Sequence, residues 1–235
     1  MIPGQEYNTY STTTAPEYDM GLRSFLLGVF NNMSIALFIS GIVSAYVGLN
    51  PDLAAAIWGT PFKWVAIFAP LAFVFLFSFM AGSMSSSTAR IMLFCFAGLM
   101  GLSMSSIFLI FKLGSIFQVF FISGATFGAT ALWGYTTKRD LSSMGSFLMM
   151  GLIGIMIAGI VNIFLQSSIM TLAISAIGVL IFTLLTAYDM QTIKETYYDS
   201  YGEEREKAVI IGALNLYLDF INIFINLLQL LGEKK

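Results

Sequence analysis

The chain has 235 residues and a net charge of −2; it is 57% hydrophobic, only 10% charged, and its mean hydropathy is +0.84. A soluble domain carries about a quarter charged residues, so this composition excludes an ordinary water-soluble fold and points to a protein immersed in lipid. There is no basic patch with interleaved aromatics to bind nucleic acid. There is no histidine and a single cysteine, which leaves no CxxC, no zinc spacing and no intramolecular disulfide.

Residues 1–23, MIPGQEYNTYSTTTAPEYDMGLR, are polar and rich in Thr and Tyr. They lack the basic start and short apolar core of a cleaved signal peptide. The expectation is a flexible tail over 1–23, followed by one transmembrane domain over 24–235 whose first helix acts as an uncleaved insertion signal.

Seven apolar runs follow: 25–47, 62–81, 89–111, 116–135, 145–166, 169–190 and 208–231. Each is about the 20 residues that a helix needs to cross hydrocarbon. They are continuous rather than alternating, which excludes a transmembrane β-barrel. The first run carries Gly41 with Ala45, the fourth Gly124 with Gly128, and the fifth Gly154 with Ala158. Such small-xxx-small pairs let helix backbones approach closely, so all three are expected at helix contacts. Pro70 predicts a kink in the second run. Cys95 falls within the third and is expected to pack. Trp58, Trp64 and Trp133 lie at the ends of runs, as interfacial anchors do. The segment 191–207 holds Glu195, Asp199, Glu203, Glu204 and Glu206 beside Lys194, Arg205 and Lys207, and reads as a solvated loop.

Orientation follows from Lys and Arg in the short connections. With the N-terminus inside, the cytoplasmic segments hold Arg23, Arg90, Lys138, Arg139, Lys194, Arg205 and Lys207. The outer ones hold Lys63, Lys112, Lys234 and Lys235. Seven against four favours a cytoplasmic N-terminus. Seven crossings then place the C-terminus outside, against the pull of Lys234 and Lys235, so a re-entrant last segment is the competing reading.

Charge inside these runs is the lead to function. Asp189 closes the sixth run, in FTLLTAYDM, and Asp219 sits in the middle of the seventh, AVIIGALNLYLDFINIFINLLQLLG. A carboxylate in hydrocarbon costs roughly 3 kcal/mol on insertion scales, so such residues face a bundle interior or a wet path. Asn215, Asp219, Asn222, Asn226 and Gln229 are spaced by 4, 3, 4 and 3, which puts them on one helical face. A polar stripe in an apolar surround belongs against other helices or a water-filled cavity, so the seventh helix is expected at the centre of the bundle or lining a central path. For the asparagines the plainer role is hydrogen bonding across helices, worth about 0.6–2 kcal/mol each. For Asp219 that role is weaker, because an amide would bond as well without ionising.

No Lys or Arg lies inside a run to neutralise Asp219, and Arg90 and Lys112 flank the third run only at its ends. Its cheapest partner is Asp189. Two carboxylates close together in low dielectric do not both ionise easily, and they share a proton. In a chain without histidine, such a pair is the group left to sense pH. Ionised, the pair offers hard oxygen ligands suited to calcium, with too few of them for tight storage. Weak, transient calcium binding suits passage, and no resident cofactor is expected.

The segments TAYDMQTIK, ALNLYLDFINIFINLLQLLG and GYTTKRDLSSMGSFLMMGLIGI resemble the Bax inhibitor-1 family, in its bacterial inner-membrane branch. The resemblance runs from about Gly21 onward. It implies an all-α integral membrane protein of seven transmembrane helices, with the last enclosed by the other six. It further implies a pH-sensitive calcium leak regulated by two aspartates, carried here by Asp189 and Asp219. Some members add an arginine after the second helix that latches onto the aspartate of the sixth. Here that stretch reads MAGSMSSSTAR, and Arg90 is the candidate substitute.

Three readings follow. The first is a cation leak with Asp189 and Asp219 as sensor and gate. The second is a non-transporting interaction protein that modulates a membrane-bound protease or other complex, with the tail 1–23 as its handle. The third, an intramembrane aspartyl protease, has Tyr188-Asp189 for one half of its signature. It lacks the other, because Asp219 follows Leu216-Tyr217-Leu218 rather than GxG. The expectation is that the chain is not an enzyme. A retinal-type pump is excluded by the absence of a lysine in the middle of the seventh run.

Overall fold

The structure, a computed structural model, describes residues 20–80 and 82–235. The helices are α1 (Met20–Gly48), α2 (Pro51–Trp58), α3 (Phe62–Met80), α4 (Ser86–Met104), α5 (Ile107–Ile110), α6 (Leu113–Thr136), α7 (Ser142–Leu165), α8 (Ser168–Asp199) and α9 (Gly202–Leu231). Among the described residues there is no strand; a single bridge pairs Phe111 with Lys234. Seven segments are long and apolar enough to cross a membrane, with α4 and α5 counting as one. All seven expected runs are therefore present. Of the tail expected over 1–23, residues 1–19 lie outside the described residues, and the last four form the first turn of α1.

The last helix is the core. It packs against α1, α4, α6 and α8, while α3 leans on α4 and α7 on α8. The apolar window of α9 is 61% buried, against 6% for α7. Leu216, Tyr217 and Ile223 have no exposed surface. The ring around α9 thus has four helices rather than six. A 30-residue helix has room for only a few neighbours at the 8–10 Å spacing of packed helices, and α3 and α7 form a second layer.

The expected loop 191–207 is almost entirely helix. α8 runs to Asp199 and α9 starts at Gly202, so the turn is Ser200 and Tyr201 alone. Arg205 closes it: Nε donates to the Ser200 carbonyl at 2.9 Å and a terminal nitrogen to the Tyr197 carbonyl at 3.0 Å. Its guanidinium lies over the rings of Tyr197 and Tyr201. These bonds satisfy carbonyls at the end of α8 that would otherwise need water. Gly202 takes φ +55, where a side chain would strain the backbone. Glu203 and Glu204 then sit in the first turn of α9, at the positive end of the helix dipole.

The third run is broken, and an extra helix precedes the second. α4 stops at Met104 and α5 begins at Ile107. At the break, Ser105 Oγ donates to the Leu102 carbonyl and accepts from Trp58 Nε1 at 2.9 Å. Trp58 ends the short helix α2, which starts where Asn50 accepts from the amides of Asp52 and Leu53 and Pro51 takes the first position.

The small-residue pairs do not make the contacts expected of them. A Cβ added at Gly41, Gly124, Gly128 or Gly154 would meet nothing within 4 Å. The close approaches are at other glycines. A Cβ at Gly101 would lie 2.6 Å from the Ser40 carbonyl, and one at Gly134 would collide with the backbone of Ala187. The motif cuts a groove in a helix surface; only the neighbour decides whether the groove is filled. Cys95 is exposed on α4 rather than packed. α9 is one unbroken helix to Leu231, which excludes the re-entrant reading and puts the two ends of the bundle on opposite faces.

Candidate functional site

α8 and α9 are joined by a two-residue turn and run antiparallel along their length, forming the tightest helix pair of the bundle. Where α6 meets α8, Gly134 lets the backbones of the two helices touch at Ala187, which has no exposed surface. Leu141 donates its amide to Gln191 Oε1 at 2.8 Å and Lys194 Nζ donates to the Tyr135 carbonyl at 3.3 Å. These contacts fix the turn of α8 between them, which carries Asp189.

Asp189 and Asp219 meet across this seam, with their carboxyls within hydrogen-bonding reach. Their exposures differ. Asp219 is buried, at 4%, whereas Asp189 retains part of its surface. Thr186, one turn before Asp189 and without exposed surface, brings its hydroxyl to Asp219 as well. That hydroxyl has one proton, and the Phe182 carbonyl takes it at 2.8 Å. Asp219 Oδ2 is left buried without a partner among the described residues. An ionised carboxylate has nothing to donate, so the carboxyl–carboxyl contact is a hydrogen bond only when the pair holds a proton. Among the described residues no cation pairs with it: Lys194 is occupied at Tyr135, over whose ring it sits at 5.0 Å.

Arg90 is not brought to Asp189. It is exposed near the start of α4, and α4 makes no packed interface with α8. The candidate latch therefore has no counterpart here, because its helix lies on the far side of α9.

The polar stripe is placed only in part as expected. Asp219 and Asn226 are buried, while Asn215 and Asn222 are half-buried. Ile221, on another face, is as buried as Asp219, at 3%. Burial does not single out the stripe, because α9 is surrounded. Nor do Asn222 and Asn226 bond across helices among the described residues: Asn222 donates to the Leu218 carbonyl and Asn226 to that of Asn222, both at 2.8 Å within α9. Each returns its amide to the preceding turn, as polar side chains do where no partner faces them. The Asn226 amide instead packs against Gly178 of α8, where a Cβ would lie 2.6 Å from its Oδ1. No cluster of three metal-ligating side chains occurs among the described residues. The carboxyls of Asp189 and Asp219 with the Thr186 hydroxyl are the oxygens gathered at this seam.

Two buried hydroxyls escape a reading of composition and spacing. Thr186 is one. The other is Tyr217, which has no exposed surface and whose hydroxyl lies 2.7 Å from Ser40 Oγ. Ser40 is itself 2.7 Å from the Ala97 carbonyl, so this network ties α9 to α1 and α4. A tyrosine two residues before Asp219 was visible in the sequence, pointing to the opposite face of the helix.

The family model described as "Inhibitor of apoptosis-promoting Bax1" matches residues 22–235. The chain is 41% identical to a protein of Rickettsia prowazekii, over 98% of this chain and 99% of that one. It is 36% identical to the inner membrane protein YbhL of Escherichia coli, over 92% and 94%. It is 34% identical to a membrane protein of Streptococcus pyogenes, over 92% and 95%.

Proposed function

Because the chain belongs to the Bax inhibitor-1 family, we propose that it is a pH-sensitive calcium leak of a bacterial inner membrane, with Asp189 and Asp219 as sensor and gate. The observation that carries this reading is the contact between the two carboxyls inside a membrane-spanning helix pair, without a cationic partner among the described residues. An inner-membrane site is supported by the likeness to YbhL. The excess of Lys and Arg on the face that carries Arg23 and the α8–α9 turn supports a cytoplasmic N-terminus.

With one proton between them, the carboxyls bridge α8 and α9. With none, two like charges at about 4 Å repel by about 4 kcal/mol at an effective dielectric of about 20. That is enough to shift a two-state equilibrium by roughly a thousandfold. The ionised pair is also the anionic site that a divalent cation would visit on its way through. The Thr186 hydroxyl supplies a further oxygen to that site. The weak affinity expected of so few ligands favours release over storage.

The test is calcium flux into liposomes holding the purified protein, measured across pH for the wild type and Asp219→Asn. A wild type that passes no calcium at any pH would overturn the leak. It would leave the second reading, a protein that modulates a membrane protease or another complex.

A further inference from the structure

α1 and α6 share no packed interface, although both pack on α9. Between them lies a cleft of about 720 Å³. Phe38 and Gly41 of α1 form one wall, Phe117 and Phe121 of α6 the other, and Phe220 and Phe224 of α9 the floor. It runs from Ser34 to Leu49 along α1, about 22 Å at 1.5 Å per residue. One leaflet of hydrocarbon is about 15 Å deep, so the cleft is long enough for a whole fatty-acyl chain.

Two polar features mark one end. Ser44 is 3% exposed and lines the cleft, yet its hydroxyl has no partner. Ser40, one turn earlier, shows the ordinary alternative, donating to the Ala36 carbonyl at 3.0 Å. Ser44 lies one turn from the end of α1 at Gly48, the depth at which hydrocarbon gives way to ester groups. The face beyond carries Lys63, Lys112, Lys234 and Lys235 against Asp52 and Glu233. Lys235 Nζ is 2.6 Å from the carbonyl of Phe108, a cleft residue, and Lys112 precedes the cleft residue Leu113. Lys112 is also paired with Glu233 at 3.0 Å.

We propose that this cleft is a binding site for one anionic glycerophospholipid of the leaflet on the C-terminal face. One acyl chain lies between α1 and α6, and the phosphate faces Lys112 and Lys235. The proposal stands apart from the calcium reading, because it concerns the opposite side of α9 from the aspartates.

The test is lipid retention, read by native mass spectrometry of the full chain extracted from vesicles of equal phosphatidylglycerol and phosphatidylcholine. The wild type should retain one phosphatidylglycerol in preference to phosphatidylcholine. Gly41→Phe should lose it, since Gly41 lines the cleft and a Cβ there meets nothing within 4 Å. Gly154→Phe, on α7 with the same open space, should keep it. Lys112→Gln with Lys235→Gln should retain the two lipids equally. Retention unchanged in Gly41→Phe, or no preference for phosphatidylglycerol in the wild type, would overturn the proposal. So would a loss of dimer mass in Gly41→Phe with lipid unaffected, which would assign the cleft to a second copy of the chain.

Discussion

Ser40 Oγ and Tyr217 Oη lie 2.7 Å apart, and through them the first helix holds the last. The ring of Tyr217 also meets Phe96 edge-on at 5.8 Å, so α1, α4 and α9 form one block. On the other side of α9, the aspartates meet α8. The last helix is thus bonded to α1 and α4 on one side and packs along α8 on the other, where the two carboxyls meet.

Tyr217→Phe should lower stability by about 1 kcal/mol, the net worth of one hydrogen bond. Ser40 keeps the Ala97 and Ala36 carbonyls, so no hydroxyl is orphaned. Thermal unfolding in detergent measures the loss. The pH response of calcium flux should be unchanged, because the aspartate seam is untouched; a flattened response would place Tyr217 in the sensor.

Gly134→Leu should unfold the α6–α8 contact, since even a Cβ there collides with the backbone of Ala187. Gly124→Leu and Gly128→Leu should fold, with midpoints within a few degrees of the wild type. Comparable yields and midpoints for all three would contradict the packing.

How far the sequence leads can be judged from these glycines. The seven crossings and the central last helix were legible because hydropathy and a polar stripe are properties of a single segment. The meeting of Asp189 and Asp219 was legible because each lacked another partner. Gly124 and Gly128 misled because a groove implies a neighbour only if one is there. The helical turn at 191–207 was hidden because charges read as solvated, while the capping reach of Arg205 is a three-dimensional fact. Arg90 failed as a latch for the same reason: spacing along the chain does not reveal that α9 stands between α4 and α8. Thr186 and Tyr217 passed as ordinary helix residues, since a hydroxyl shows its role only through what it touches.

Arg205→Ala should loosen the α8–α9 turn by about 1.5–3 kcal/mol, the range for hydrogen bonds from a charged group. Hydrogen exchange should speed up across 197–205 and leave the rest of α9 protected. Unchanged exchange in that segment would show that the cap contributes nothing.

Calcium and protons should compete for the aspartate pair. A cation binds the ionised carboxylates and displaces the shared proton, so apparent calcium affinity should rise as pH rises. Flux measured against calcium concentration at several pH values checks the sign; an affinity that falls with rising pH would put the binding groups elsewhere.

The most direct measurement is calcium flux in liposomes measured across pH. It compares the wild type with Asp219→Asn, Asp189→Asn and the double variant. Asparagine keeps the shape and cannot ionise, so each single variant should lose most of the pH dependence. The double variant should add little, because the two residues act as a unit. Full pH dependence in both single variants would contradict the account and turn attention to Glu203, Glu204 and Glu206 at the α8–α9 turn.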